Sequence, residues 1–314
     1  MAAPDPSTAR IPGDWTHLDV RANGIRMHVV EGHAPDQSGP ALDRPLVLLL
    51  HGFGEFWWSW RHQLAPLAAA GFRPIAVDLR GYGDSDKPPR GYDGWTLAND
   101  INGLIRALGH DEAVIVGHAD GGLGAWATAT LHPTKVPRIA VLGSPHPAAL
   151  RQSLLRNADQ RKVFLGNFLG NQWPRLAERT LTTRDGAFAE KLLRSRGGKR
   201  WQTTDEFPEV VARYREAIQI PGVAYCTLEY RRWAFRSQFR PDGARFLGAM
   251  NKRLHIPVLA LRGTEDSYMF AETVESSGHW VDAMTHRELP GAGHYVHEER
   301  PDAVTRMLID FLQQ

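Results

Sequence analysis

Four short segments carry residues that could act together. Gly117-His118-Ala119-Asp120-Gly121-Gly122 has the spacing of a nucleophile elbow, G-x-Nu-x-G, where a sharp strand-to-helix turn lifts one side chain clear of the backbone. His51-Gly52-Phe53-Gly54 precedes it, and the backbone N–H groups of Phe53 and Asp120 fall where an oxyanion would be held. Arg262-Gly263-Thr264-Glu265-Asp266 brings a carboxylate, and Gly291-Ala292-Gly293-His294 a late histidine. A histidine held by a carboxylate keeps one tautomer and gains basicity, which suits a general base. Asp266 and His294 are the expected pair, with Glu265 a nearby competitor for the carboxylate's role. The centre of the elbow, however, is Ala119. A methyl group cannot attack, so no covalent intermediate forms there. Asp120 is the stand-in nucleophile, although its side chain is expected to point away from that of Ala119. Its other reading, the preferred one, is a polar residue under a cap or a partner for a neighbouring His or Arg.

These segments need a frame that brings them to one edge. Trp15–Val20 and Ile25–Val30 read as antiparallel strands joined by a turn at Ala22-Asn23-Gly24. Pro45–Leu50, Arg73–Asp78, Ala113–Val116 and Arg138–Leu142 are continuous apolar runs of the kind found in strands buried on both faces. Helical patterns at Ser59–Ala70, Thr96–Leu108 and Gly121–Leu131 alternate with them, which argues a doubly wound, mostly parallel sheet. The rhythm stops at Ser144-Pro145-His146-Pro147. About a hundred mainly helical residues follow before strand character returns at Pro257–Arg262 and near Arg287–Leu289, with a last helix from about Pro301 to Leu312. The division expected is core over 1–145, a helical cap over 146–250 inserted late in the sheet order, and core again over 251–314. A cap in that place covers the carboxyl ends of the strands, where open α/β sheets bind ligands, and an apolar pocket is expected beneath it.

Composition narrows the partners. The chain of 314 residues is 42% hydrophobic and 23% charged, a globular profile. Lys+Arg is 37 against 35 Asp+Glu, so no net field gathers nucleic acid, which is excluded as a partner. Cys226 is the single cysteine, so neither an intrachain disulfide nor a cysteine metal cluster can form. The longest apolar run, Leu46–Leu50, is far too short to span a bilayer, and the first fifteen residues lack the apolar stretch of a signal peptide; a cytoplasmic location is the expectation. His294 and His297 have metal-like spacing without a third ligand, so no metal is expected. No phosphate loop or dinucleotide fingerprint is present, so no cofactor is expected. His118 reads as structural. Trp57, Trp58 and Trp60 read as packing at the base of the cap.

His51–Gln63, Asp78-Leu-Arg-Gly-Tyr-Gly-Asp-Ser-Asp86 and Ser144–Pro147, together with the order elbow, Asp, His, resemble the epoxide hydrolase branch of the α/β-hydrolases, a branch that also includes haloacid and haloalkane dehalogenases. The likeness runs from about Trp15 to the end and is close to the mycobacterial epoxide-hydrolase-like proteins. It implies an α/β-hydrolase fold. It also implies a mechanism in which an elbow aspartate attacks the epoxide carbon, a His–Asp pair activates water to hydrolyse the ester, and two cap tyrosines bind the epoxide oxygen. Position by position, His294 and Asp266 match the pair, while Ala119 replaces the attacking aspartate. Residues 147–213 contain no tyrosine. In Thr227-Leu-Glu-Tyr-Arg-Arg-Trp233, Arg231 falls at the second tyrosine position, with Tyr230 one place away. Gly54 stands where the family has Pro. Asp120 stands where haloalkane dehalogenases place a halide-binding Trp, which argues against dehalogenation.

Three readings follow. The first is a hydrolase acting on a small apolar substrate, an epoxide or an ester, with Asp120 as nucleophile, with water activated directly by His294–Asp266, or with Ala119 in place of a native nucleophile. The second is a non-catalytic protein that binds a hydrophobic ligand. The third is an interaction scaffold working through its Arg- and Trp-rich cap. The expected partners are a small hydrophobic molecule and, as a homodimer, a second copy of the chain. As written, the chain is expected to show little epoxide hydrolysis.

Overall fold

The computed structural model describes residues 3–34 and 42–314. The apolar runs form the middle of one eight-stranded sheet. β1 (Trp15–Ala22) and β2 (Ile25–Gly32) make an antiparallel hairpin around Asn23-Gly24, and β2 pairs antiparallel with β4 (Arg73–Val77). β3 (Leu46–Leu50), β5 (Val114–His118), β6 (Ile139–Leu142), β7 (Leu254–Gly263) and β8 (Val281–Leu289) complete the order β1-β2-β4-β3-β5-β6-β7-β8, with every pairing from β4 onward parallel. Every residue of β3, β4, β5 and β6 is buried, because helices cover both faces of a parallel sheet and leave no side for polar residues.

Helices α1 (Arg61–Ala69), α2 (Gly94–Ala107) and α3 (Asp120–Leu131) connect the early strands. Between β6 and β7 lie α4 (Pro147–Arg156), α5 (Ala158–Phe168), α6 (Leu176–Arg196), α7 (Phe207–Ala217), α8 (Val223–Arg236) and α9 (Pro241–Met250). The short α10 (Ala271–Glu275) leads towards β8, while α11 (Val296–Glu299) and α12 (Pro301–Leu312) close the chain. α6 is broken by left-handed backbone at Arg184, Asp185 and Gly186. Among the described residues no helix is long and apolar enough to cross a membrane.

The tryptophans differ from expectation. Trp57 packs edge-on against Trp15, His17 and His28, and its indole N–H donates to Ala9 O, so it anchors the hairpin edge of the sheet. Trp60 lies 4.3 Å from the His297 ring, in the core. Trp58 stacks on Phe56, which in turn meets Tyr214 of α7, and this is the cap-facing part of the run. Spacing alone cannot separate these faces, because the three rings stand on a tight 3-10 turn rather than on one helix face.

Candidate active site

Ala119 sits between β5 and α3 with φ 46° and ψ −110°. L-residues avoid positive φ because Cβ crowds the backbone. Close packing holds it there. A Cβ on Gly117 would lie 2.4 Å from Gly121 O, one on Gly121 would lie 2.3 Å from Leu50 O, and one on Gly122 would lie 2.4 Å from Ser144 Cβ. Strand, turn and helix therefore approach more closely than any side chain allows. The Ala119 N–H donates to Leu142 O, and Ser144 Oγ donates to Ala119 O.

The loop after β3 meets this apex. Gly52 lies so near that a Cβ there would come 3.0 Å from the Ala119 methyl. The Glu55 N–H donates to Gly52 O at 3.3 Å, and Gly54 has φ 78°. This is a tight turn whose third residue must be left-handed, so proline, fixed near −65°, cannot occupy position 54. Phe53 follows Gly52 in this loop, and the N–H of Asp120, the first residue of α3, is one of the groups a helix start leaves unpaired.

His294 and Asp266 come together. His294 Nδ1 lies 2.8 Å from Asp266 Oδ2, and Asp266 Oδ1 accepts the N–H groups of Tyr268 and Met269. A carboxylate only accepts, so Nδ1 carries the proton and Nε2 is left as the basic nitrogen. That Nε2 is buried without a hydrogen-bond partner. Burial pushes His294 down; the Asp266 charge opposes this in part, and the ring stays below its ordinary 6.5, hence neutral at pH 7. Burial works to raise Asp266, but the attraction of His294 and the backbone donors hold it below the usual carboxylate range. Glu265 is elsewhere, accepting the Lys199 N–H near the surface. The His294 ring packs on Gly143, whose Cβ position is 3.0 Å from its Cε1. Gly143 and Ala119 line one cavity of about 420 Å³.

That cavity lies between the sheet edge and the cap, lined largely by Leu and Phe from α4, α5 and α9 and from the end of α8. Its polar lining includes Asp120, Ser144, Tyr230, Arg231 and Tyr268. Asp120 thus shares the cavity with Ala119, and its Oδ2 is buried without a partner. Tyr230 presents its ring, while its hydroxyl donates to Arg80 O at 2.8 Å. Arg231 is buried, with its guanidinium carbon 3.5 Å above the Phe53 ring.

One cluster escapes sequence reasoning. His118 Nδ1 lies 2.8 Å from Glu55 Oε1, and its Nε2 bonds His294 O at 3.0 Å. Glu55 Oε2 accepts the Gly52 N–H, and His297 Nε2 approaches it to 3.9 Å. Glu55, His118 and His297, all buried, bring their ligand atoms within 4.8 Å of one another. His118 Nδ1 approaches Glu55 closely without hydrogen-bond geometry, so the contact is one of charge rather than of a directed bond. Burial works against either charge, but mutual attraction outweighs it, raising His118 and lowering Glu55. The ion pair ties the oxyanion loop, the elbow strand and the His294 loop to one another. The available signal was Glu55 itself, three residues after a glycine whose N–H needs an acceptor.

The family model for the alpha/beta hydrolase fold matches residues 45–301. Epoxide hydrolase 3 of Xenopus tropicalis is 33% identical over 322 residues, covering 100% of this chain and 82% of that protein. Epoxide hydrolase 4 of Mus musculus is 32% identical over 320 residues, covering 98% and 83%. Among solved structures, Epoxide Hydrolase A from Mycobacterium thermoresistibile superposes with a TM-score of 0.73 at 27% identity, covering 95% of this chain and 98% of that one.

Proposed function

The chain belongs to the alpha/beta hydrolase fold family, in its epoxide-hydrolase-like branch, and on that premise we propose that it hydrolyses a small apolar substrate with water activated at His294. The observation that carries this reading is the His294–Asp266 pair, whose basic Nε2 has no partner, together with an elbow apex that offers only a methyl. Nε2 takes a proton from water, the water oxygen attacks, and the resulting imidazolium is stabilised by Asp266 and returns the proton to the leaving oxygen. The N–H groups of Phe53 and Asp120 are suited to the oxyanion of a carbonyl substrate. An ester fits better than an epoxide, because the Tyr230 hydroxyl is bound to Arg80 O and cannot donate to a ring oxygen. Under this reading Asp120 is a polar wall rather than a nucleophile. The methyl at the apex also supports a second reading, ligand binding without turnover.

Turnover of short aryl esters and of a styrene-type epoxide separates the readings. The unmodified chain is expected to hydrolyse the ester slowly and the epoxide hardly at all, with His294→Ala removing the ester activity. Ala119→Asp or Ala119→Ser is expected to raise turnover by roughly two orders of magnitude or more, since a missing nucleophile typically costs that much. Rapid epoxide turnover that Asp120→Asn abolishes would make Asp120 the nucleophile. An ester rate untouched by His294→Ala would leave ligand binding as the function.

A further inference from the structure

Arg231 is a cation without a counter-ion. It is 3% exposed, its Nε is buried with no acceptor, and no carboxylate oxygen lies within 4.0 Å of its guanidinium among the described residues. Other buried arginines of this chain show the usual solution: Arg73 pairs with Glu31, Arg80 with Asp100, Arg262 with Glu288, and the neighbouring Arg232 with Glu178 and Glu229. A buried charge without a partner is among the costlier arrangements in a protein, and stacking on Phe53 recovers only part of that cost. Arg231 is also a lining residue of the 420 Å³ cavity that Ala119 shares. An apolar cavity with one convergent charged group is how proteins fix the head of an otherwise greasy ligand.

The geometry points to an apolar monocarboxylate as the ligand of this cavity, with its tail among the Leu and Phe side chains of the cap and its carboxylate on Arg231. The inference rests on the reading of this cavity as the substrate site. The planar fork of arginine matches a carboxylate with two parallel N–H···O bonds. A phosphate dianion would call for more than one cation, and Arg151, the other cationic residue of the lining, is exposed. Asp120 also lines the cavity but lies beyond ion-pair distance of Arg231, so its charge opposes a carboxylate rather than neutralising the guanidinium. For an ester hydrolase such a ligand is chemically the acyl product, so the group that recognises it also sets which acids the site releases slowly.

Calorimetric titration of the full chain with decanoate, decanol and decanamide at pH 7.5 tests this. Decanoate is expected to bind roughly tenfold or more tighter than decanol, the ratio a charge-assisted hydrogen bond supplies. Arg231→Met should bring decanoate down to the level of decanol and leave decanol unchanged. Arg231→Lys, which keeps the charge and loses the fork, should weaken decanoate several-fold and covers the case in which the methionine variant fails to fold. Asp120→Asn should preserve or strengthen the preference. Turnover of a short aryl ester, measured separately, reads the hydrolytic proposal, so its failure is distinguished from a failure of carboxylate recognition. Equal binding of decanoate and decanol, a preference that survives both Arg231 variants, or its loss in Asp120→Asn would overturn the inference. Binding of none of the probes would overturn both the inference and the cavity reading.

Discussion

Ala119 holds a conformation that costs an alanine about 1–2 kcal/mol and that a methyl does not use chemically. The pair that would serve a nucleophile there is in place, with His294 Nδ1 on Asp266 and Nε2 bare. Its pH behaviour follows from burial. Because His294 titrates below 6.5, it is neutral and basic throughout the neutral range and loses basicity only when the pH falls to its depressed pKa. The acid limb of kcat/KM for ester hydrolysis by the unmodified chain should therefore lie below pH 6.5; a limb centred above that value would show that another group is the base. At this scale much was legible. Local spacing points to the elbow, Asp266 and His294, since each follows a strand end. Glu265 could not be separated from Asp266 by sequence, because adjacent loop residues differ only in where the turn aims them.

Loops, rather than single residues, are what the Glu55–His118 pair controls. His118 bonds the backbone of the His294 loop, and Glu55 bonds the Gly52 N–H of the oxyanion loop. Removing one partner leaves a buried, uncompensated charge, so Glu55→Ala should destabilise the fold by about 3–5 kcal/mol in chemical denaturation, with Glu55→Gln losing less. A loss under 1 kcal/mol would mean the pair is not a tie. The first cap helix has a tie of its own. His146 accepts the Ala148 N–H on Nδ1 at the start of α4, between Trp126 and Trp280, and burial pushes its pKa down to about 3. A histidine with a depressed native pKa contributes nothing above 6.5. Below 6.5 the unfolded chain takes up the proton first, and stability falls as pH drops towards 3. One pKa unit being 1.36 kcal/mol, this comes to roughly 3 kcal/mol by pH 4. His146→Asn keeps a capping acceptor without the proton, so its urea midpoint should fall less steeply between pH 6.5 and 4. Neither tie was legible beforehand. Glu55, His118 and His297 are far apart in sequence, and only the alignment of strand ends brings them together.

Across the whole molecule, one side chain joins parts that the sequence showed as separate blocks. Arg61 at the start of α1 bonds Glu206, ahead of α7, and Glu298 of α11, while Tyr214 of α7 donates to Glu298 from the other side. The strands and the helical block were readable from apolar runs and their interruption, but this junction was not, because long-range ion pairs leave no periodic trace. Arg61→Met should leave the sheet intact and loosen the block over 146–250. Limited proteolysis should then cut that block several times faster than in the unmodified chain, and an unchanged rate would place the hold of the cap elsewhere. The elbow carries a different consequence. Its shape is imposed by Gly117, Gly121 and Gly122 against their neighbours, not by the residue at its apex. Whatever the gene encodes at position 119 is therefore delivered to the same spot. Any alanine codon lies a single base from serine, and one ending in a pyrimidine lies a single base from aspartate. Lineages carrying this scaffold can pass between an inert apex and a reactive one by point mutation, in either direction, without rebuilding the backbone that presents it.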